Sequence, residues 1–128
     1  MKWYVIERSE RIKYLSSTTM EDVIIEKGWG NGYVAVPPAH PLYLGSLDTV
    51  TDNELIAKKI SAVGSLDVHG DITYNDFGDG VNAPIDWWVF GFDTAHYGDT
   101  LEKWPKKAVV AETKRLFCQL MDIEIGGL

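Results

Sequence analysis

Apolar positions recur along the chain in two rhythms. Val109, Thr113, Leu116, Phe117 and Leu120 repeat at helical spacing, which predicts an amphipathic C-terminal helix from Pro105 to about Met121. Pro105 suits its first turn, where a missing N–H costs nothing. Leu55, Ile56, Ile60 and Val63 predict a second helical face, opened by a Thr51–Glu54 capping box and ended by Gly64. Two runs read instead as buried strands. Trp87–Phe92 (WWVFGF) is the most hydrophobic stretch and predicts a central strand, and Tyr33–Val36 (YVAV) predicts another, stopped by Pro37-Pro38. Lys2–Ile12 fits a strand or a short helix, and Asp22–Glu26 a short strand or a helix end closed by Gly28. Leu66–His69 and Ile72–Tyr74 read as two short strand-like pieces around Gly70-Asp71. Gly30-Asn31-Gly32 reads as a turn, Asp76–Pro84 and Asp93–Thr100 as loops, and His40-Pro41-Leu42-Tyr43 as a rigid loop or edge segment. The pattern predicts an α+β fold: one small domain over residues 1–128, with a short, mainly antiparallel sheet packed against the C-terminal helix.

Charge divides the chain. The net charge is −7, which argues against direct nucleic-acid binding, whose footprint is basic. From Gly28 to Glu102 there are eleven acids and two basic residues, Lys58 and Lys59. All three histidines, His40, His69 and His96, fall in that acidic middle. No apolar run approaches the roughly 20 residues of a membrane helix, and the N-terminal segment has no signal-peptide pattern. The single cysteine, Cys118, rules out an internal disulfide and suits a reducing cytosol; its helical neighbours mark it as an inert thiol. The expectation is a cytoplasmic protein.

Chemistry concentrates in the same middle. His69 has Asp67 and Asp71 beside it, and His96 has Asp93 and Asp99. Imidazole with carboxylate serves metal ligation with an outer shell, or general acid–base catalysis, or a plain structural cap. There is no HExxH and no Cys–His cluster, so metal and cofactor are unspecified. His69 and His96 stand 27 positions apart, and only folding can join them. The aromatics Trp29, Tyr33, Tyr43, Tyr74, Trp88 and Tyr97 offer stacking surfaces, or fill the core. The rings of Trp87 and Trp88 must lie on opposite sides of a strand. Glycine-rich phosphate loops are absent, so a phosphate ligand needs basic residues from the terminal segments, such as Arg8, Arg11 or Lys13, or from a second subunit; a bound divalent cation removes the difficulty. The helix lysines Lys103, Lys106, Lys107 and Lys114 with Arg115 read as a solvated face.

The blocks GNGYVAVPPAHPLY, DVHGDITY and DWWVFGFDTAHYGD resemble a family of small uncharacterised proteins of bacteriophage and scattered bacterial genomes. The resemblance covers the middle half of the chain. Asp71 stands where the family has the second glycine of His-Gly-Gly. Phage context implies an accessory protein, in the host cytosol, that blunts host defence by binding or destroying a nucleotide-derived signal. Three readings stand together. The first is a small-molecule binding module lined by Trp29, Tyr33, His40, Tyr43, His69, Tyr74, Trp88, Asp93, His96, Tyr97 and Asp99. The second is a hydrolase, metal-dependent or not, with His69 or His96 as base and Asp67 or Asp93 orienting it. The third is an acidic protein–protein inhibitor using Asp76 and Asp79, with no small ligand. Its aromatic content is also compatible with a homo-oligomer.

Overall fold

Along the chain, strands β1 (Lys2–Glu7), β2 (Ile12–Ser16), β3 (Asp22–Glu26) and β4 (Gly30–Val36) precede helix α1 (Glu54–Gly64). Strands β5 (Tyr74–Phe77) and β6 (Trp88–Phe92) and helix α2 (Lys106–Gly126) follow. This computed structural model describes residues 1–9, 12–16, 22–47 and 50–128, with 12–16 and 22–25 described as backbone alone. The four-stranded sheet runs β1-β4-β6-β5, every pair antiparallel, and β2 and β3 form a second, two-stranded ladder. The fold is α+β, as the hydrophobic pattern predicts. Among the described residues no helix is long and apolar enough to cross a membrane.

Register assigns the two sheet faces. Trp3, Val34 and Phe90 lie opposite one another across β1, β4 and β6, and so do Tyr4, Tyr33 and Gly91 one position on. Alternation sends the first set to one face and the second to the other. On the first face Val34, Val36, Phe90 and Phe92 pack with Val63 of α1 and Val109, Leu116 and Leu120 of α2. Both helices therefore cover the same side. The opposite side holds a smaller cluster of Ala35, Ala83 and Val89 with Tyr4, Tyr33 and Trp87 against it. Trp88 belongs to the first cluster and Trp87 to the second, as their adjacency in the chain requires.

The structure corrects the local expectations at several points. Gly30-Asn31-Gly32 is the start of β4 and not a turn. A Cβ on Gly32 would lie 2.5 Å from Phe92 Cε1, and one on Gly30 would lie 3.0 Å from Glu7 Cα. These glycines serve close packing of strand against strand and of strand against side chain. Neither Leu66–His69 nor Ile72–Tyr74 forms a strand; extended pairing begins at Tyr74. Gly70 and Asp71 both have positive φ, +68° and +64°, which turns the chain while Leu66, Val68 and Ile72 anchor it in the core. The predicted Asp76–Pro84 loop accordingly starts two residues late, since β5 takes Asp76 and Phe77. The N-cap of α1 is Asn53, not Thr51: its side-chain oxygen accepts from Leu55 N and Ile56 N, while Thr51 Oγ1 accepts from Asn53 N. Leu55 and Ile56 are exposed and Val63 alone of that predicted stripe is buried. Helix α2 runs five residues past Met121, and Pro105 is its N-cap. For Lys2–Ile12 the outcome is strand over residues 2–7; residues 10 and 11 lie outside the described residues.

Candidate functional site: two histidines on one carboxylate

The loop after α1 and the loop after β6 meet beside the start of α2. Gly70 lets them meet. A Cβ there would fall 2.5 Å from His96 Nε2, so the backbone of the first loop lies directly against the imidazole of the second. The second loop closes on itself as a turn, with Asp99 N donating to His96 O (2.9 Å) and positive φ at Gly98. This turn points the Asp99 carboxylate inward, where its side chain is 7% exposed.

Asp99 then receives both histidines. His69 Nε2 lies 2.9 Å from Oδ1 and 3.0 Å from Oδ2. His96 donates twice to Oδ2, from its backbone N–H and from ring Nδ1, each at 2.9 Å. An ionised carboxylate only accepts, so the ring nitrogens facing it carry the protons. His69 Nδ1 and His96 Nε2 are the ring nitrogens turned away from Asp99. Burial pushes the Asp99 carboxyl up, but the hydrogen bonds from the His69 ring and from the His96 backbone and ring outweigh it and hold it below the ordinary carboxylate range.

An outer layer fixes these groups. The His69 backbone N–H donates to Glu112 Oε2 of α2 (2.9 Å), and Glu112 Oε1 accepts from Arg115 Nε (2.7 Å). The Trp104 ring lies against the His69 ring at a centroid distance of 4.1 Å. Asp93 Oδ1 stands 3.6 Å from His96 Nε2. Trp104 in turn is tied to Trp29, whose backbone N–H donates to the Trp104 carbonyl (2.8 Å) and whose ring carries Lys106 Nζ 5.6 Å from its centroid. Lys103, Lys106 and Lys107 are exposed around Trp104 at the start of α2. The cationic segment beside the histidines is therefore the start of α2. Of the residues expected to supply a phosphate's counter-charge, Arg8 bonds Asn31 Oδ1 at 2.8 Å, Arg11 lies outside the described residues, and Lys13 is described by its backbone only.

Of the candidate residues, the fold joins His69, His96, Asp99 and Asp93, with Trp29 at the margin. The others go elsewhere. His40 is buried: its Nδ1 accepts from Leu42 N (3.0 Å) and its Nε2–H donates to the Leu120 carbonyl (2.8 Å). Burial lowers its pKa, as expected for a neutral structural imidazole. Asp67 pairs with Arg115 at 3.0 Å, so the carboxylate that orients His69 is Asp99. Tyr33 stacks on Tyr4 and meets Tyr74 edge-on, on the sheet face away from the helices. Tyr43 donates to the Asp86 carbonyl (2.6 Å), and the Trp88 indole donates to the Gly45 carbonyl (2.8 Å). Tyr97 is fully exposed beside His96. Asp79 caps its own loop through Val81 N and Asn82 N, which holds its carboxyl at about 2. Asp76 Oδ1 accepts from Phe77 N. The sequence reading missed Gly70, Trp104 and Glu112. Only the position of Gly70, directly after His69, gave a hint.

The donor set can act on a proton, an anion or a metal. Comparison with family models, curated proteins and solved structures finds no match.

Proposed function

We propose that the protein binds a small phosphorylated ligand, of the nucleotide-derived class, where His69, His96 and Asp99 meet the start of α2. The observation that carries this reading is the sharing of one buried carboxylate by two imidazoles. Asp99 fixes both tautomers and orientations in advance, so binding costs little side-chain ordering. The flanking features suit a phosphate ester. Lys103, Lys106 and Lys107 bring positive charge, α2 presents its N-terminal end there with no side-chain cap, and Trp29 and Trp104 provide ring surface beside it. A ligand held in this way is kept out of circulation, which fits the accessory role that the phage resemblance implies.

Hydrolysis of the same ligand is a second reading, and the tautomers favour it. A ring held by a carboxylate at one nitrogen is a better base at the other. His69 and His96 both have this arrangement, so the outward nitrogen of either ring can take a proton from the attacking water and pass that same proton to the leaving group. In this reading Asp99 has the orienting role expected of Asp67 or Asp93.

Equilibrium dialysis of the full chain against nucleoside mono- and diphosphates, cyclic dinucleotides and ADP-ribose, followed by mass analysis of the recovered ligand, tests both. Retention of one class, lost in His96→Gln while that variant still unfolds cooperatively, is the expected result. An altered recovered mass identifies turnover. Failure of every class to bind at millimolar concentration overturns the binding reading.

A further inference from the structure

We propose that His69, His96 and Asp99 together hold a divalent transition-metal ion, and that this ion is what a phosphate ligand of the site meets. The proposal deepens the binding reading above and rests on it for the ligand, but not for the metal.

Geometry supports it first. One ligand atom from each of the three side chains lies within 4.8 Å of the other two, and the nitrogen-to-oxygen separations are 2.9–3.0 Å. Donors about 2.0–2.2 Å from a zinc-sized ion, arranged tetrahedrally, stand about 3.3 Å apart. Each nitrogen-to-oxygen pair needs to open by only a few tenths of an ångström to admit an ion. Two imidazoles with one carboxylate suit Zn²⁺, Mn²⁺ or Fe²⁺. Three protein ligands leave positions open, as in sites that bind a substrate. The exposure is graded accordingly: Asp99 is 7% exposed, His69 25% and His96 37%.

The outer layer supports it independently. His96 turns Nδ1 to Asp99 and Nε2 to Asp93, 3.6 Å away. A ring that binds metal by one nitrogen and meets a carboxylate with the other is the usual histidine–metal arrangement. The proton balance is simple. When the ion arrives, the Nδ1 proton of His96 passes to Nε2, facing Asp93, and the Nε2 proton of His69 passes to Nδ1. This exchange of tautomers releases no proton from the protein.

Charge gives the third argument. Among the described residues, Asp93 and Asp99 have no ion-pair partner other than these imidazoles. No Lys or Arg among the described residues pairs with these two carboxylates, and they repel the phosphate that the neighbouring lysines attract. A dication offsets both carboxylates and presents a positive centre to the ligand.

The test uses the full chain, freed of metal with a chelator, and the metal alone as probe. Calorimetry with Zn²⁺ and visible absorption with Co²⁺ should each show one equivalent bound. Binding should weaken at least about tenfold in His69→Gln and in His96→Gln, and by roughly 10–100-fold in Asp93→Asn. In the wild-type chain, Zn²⁺ should shift the ring NMR signals of His69 and His96 and leave those of His40 in place, a readout that needs no variant to fold. Absence of stoichiometric uptake, or uptake with all three histidines unshifted, overturns the proposal. Metal uptake without retention of any phosphorylated ligand would sink the ligand reading alone, and ligand retention by a chain that takes up no metal would sink this one alone.

Discussion

Gly70→Ala isolates the contact on which the site is built. Two costs add at this position. The first is backbone strain: φ is +68°, and an L-residue in the left-handed region costs about 1–2 kcal/mol, partly offset by about 0.4–1 kcal/mol from a stiffer unfolded chain. The second is the ring. The new Cβ would sit 2.5 Å from His96 Nε2, against 3.4 Å for ordinary contact, so the imidazole must retreat by about 1 Å. A displacement of that size breaks its 2.9 Å bond to Asp99. A hydrogen bond to a charged group contributes about 1.5–3 kcal/mol; with the His96 side chain 37% exposed, about 1–1.5 kcal/mol is appropriate after solvent screening. The expected total is about 2 kcal/mol. Gly80→Ala provides the reference, because Gly80 has φ +79° and a Cβ there meets only an exposed Ile85 methyl at 3.0 Å. Urea unfolding of both variants, with the His96 ring signals followed by NMR, separates the two costs. If Gly70→Ala is no more destabilising than Gly80→Ala, and the His96 signals stay where they are, the packing of backbone on imidazole does not position this ring.

Three further outcomes are expected. Asp99→Asn should lower stability by about 1.5–3 kcal/mol at neutral pH; because the Asp99 carboxyl titrates below its usual 3.8, its contribution is complete above that pH and fades as pH falls through the depressed value, so the gap between variant and wild type, read by urea titration, should close on acidification. His40 has the same sign in another window: its pKa is lowered from 6.5, the unfolded chain takes up the proton first, and stability should decline as pH falls below about 6.5; His40→Gln should lack that decline while losing the tie to the Leu120 carbonyl. Leu44 is exposed with φ +64°, so Leu44→Asn, a residue tolerant of that conformation, should raise stability by about 0.5–1 kcal/mol, seen as a higher melting midpoint.

The layered architecture was legible because periodicity reports which side of an element is buried. The stripe from Val109 to Leu120 and the run ending at Phe92 could be satisfied in few other ways. Glycine misled where it had two meanings. Gly30 and Gly32 look like turn residues, yet they are absent side chains in a strand, and only the positions of Thr113, Phe92 and β1 distinguish the two. The same ambiguity hid the path of residues 66–73. Alternating apolar residues suggested strands, whereas left-handed Gly70 and Asp71 make this a loop pinned by its apolar members. Within the site, the residue types were legible and the pairings were not. His69 with Asp99, 30 positions apart, follows from no local rule. Asp67, nearer in the chain, is drawn off by Arg115, a competition that only the docking of α2 decides. His40 looked like its siblings because burial does not show in a single residue type.

The grip of α2 on His69 has a consequence for how the molecule opens. Glu112 holds the His69 amide and Trp104 covers its ring, so the two histidines are in register only while the first turns of this helix are docked. Partial detachment of that end would disassemble the cluster without unfolding the sheet. Occupancy and helix docking are thus one thermodynamic unit. Whatever binds at Asp99 should slow amide exchange along the start of α2, and whatever loosens that start should release it.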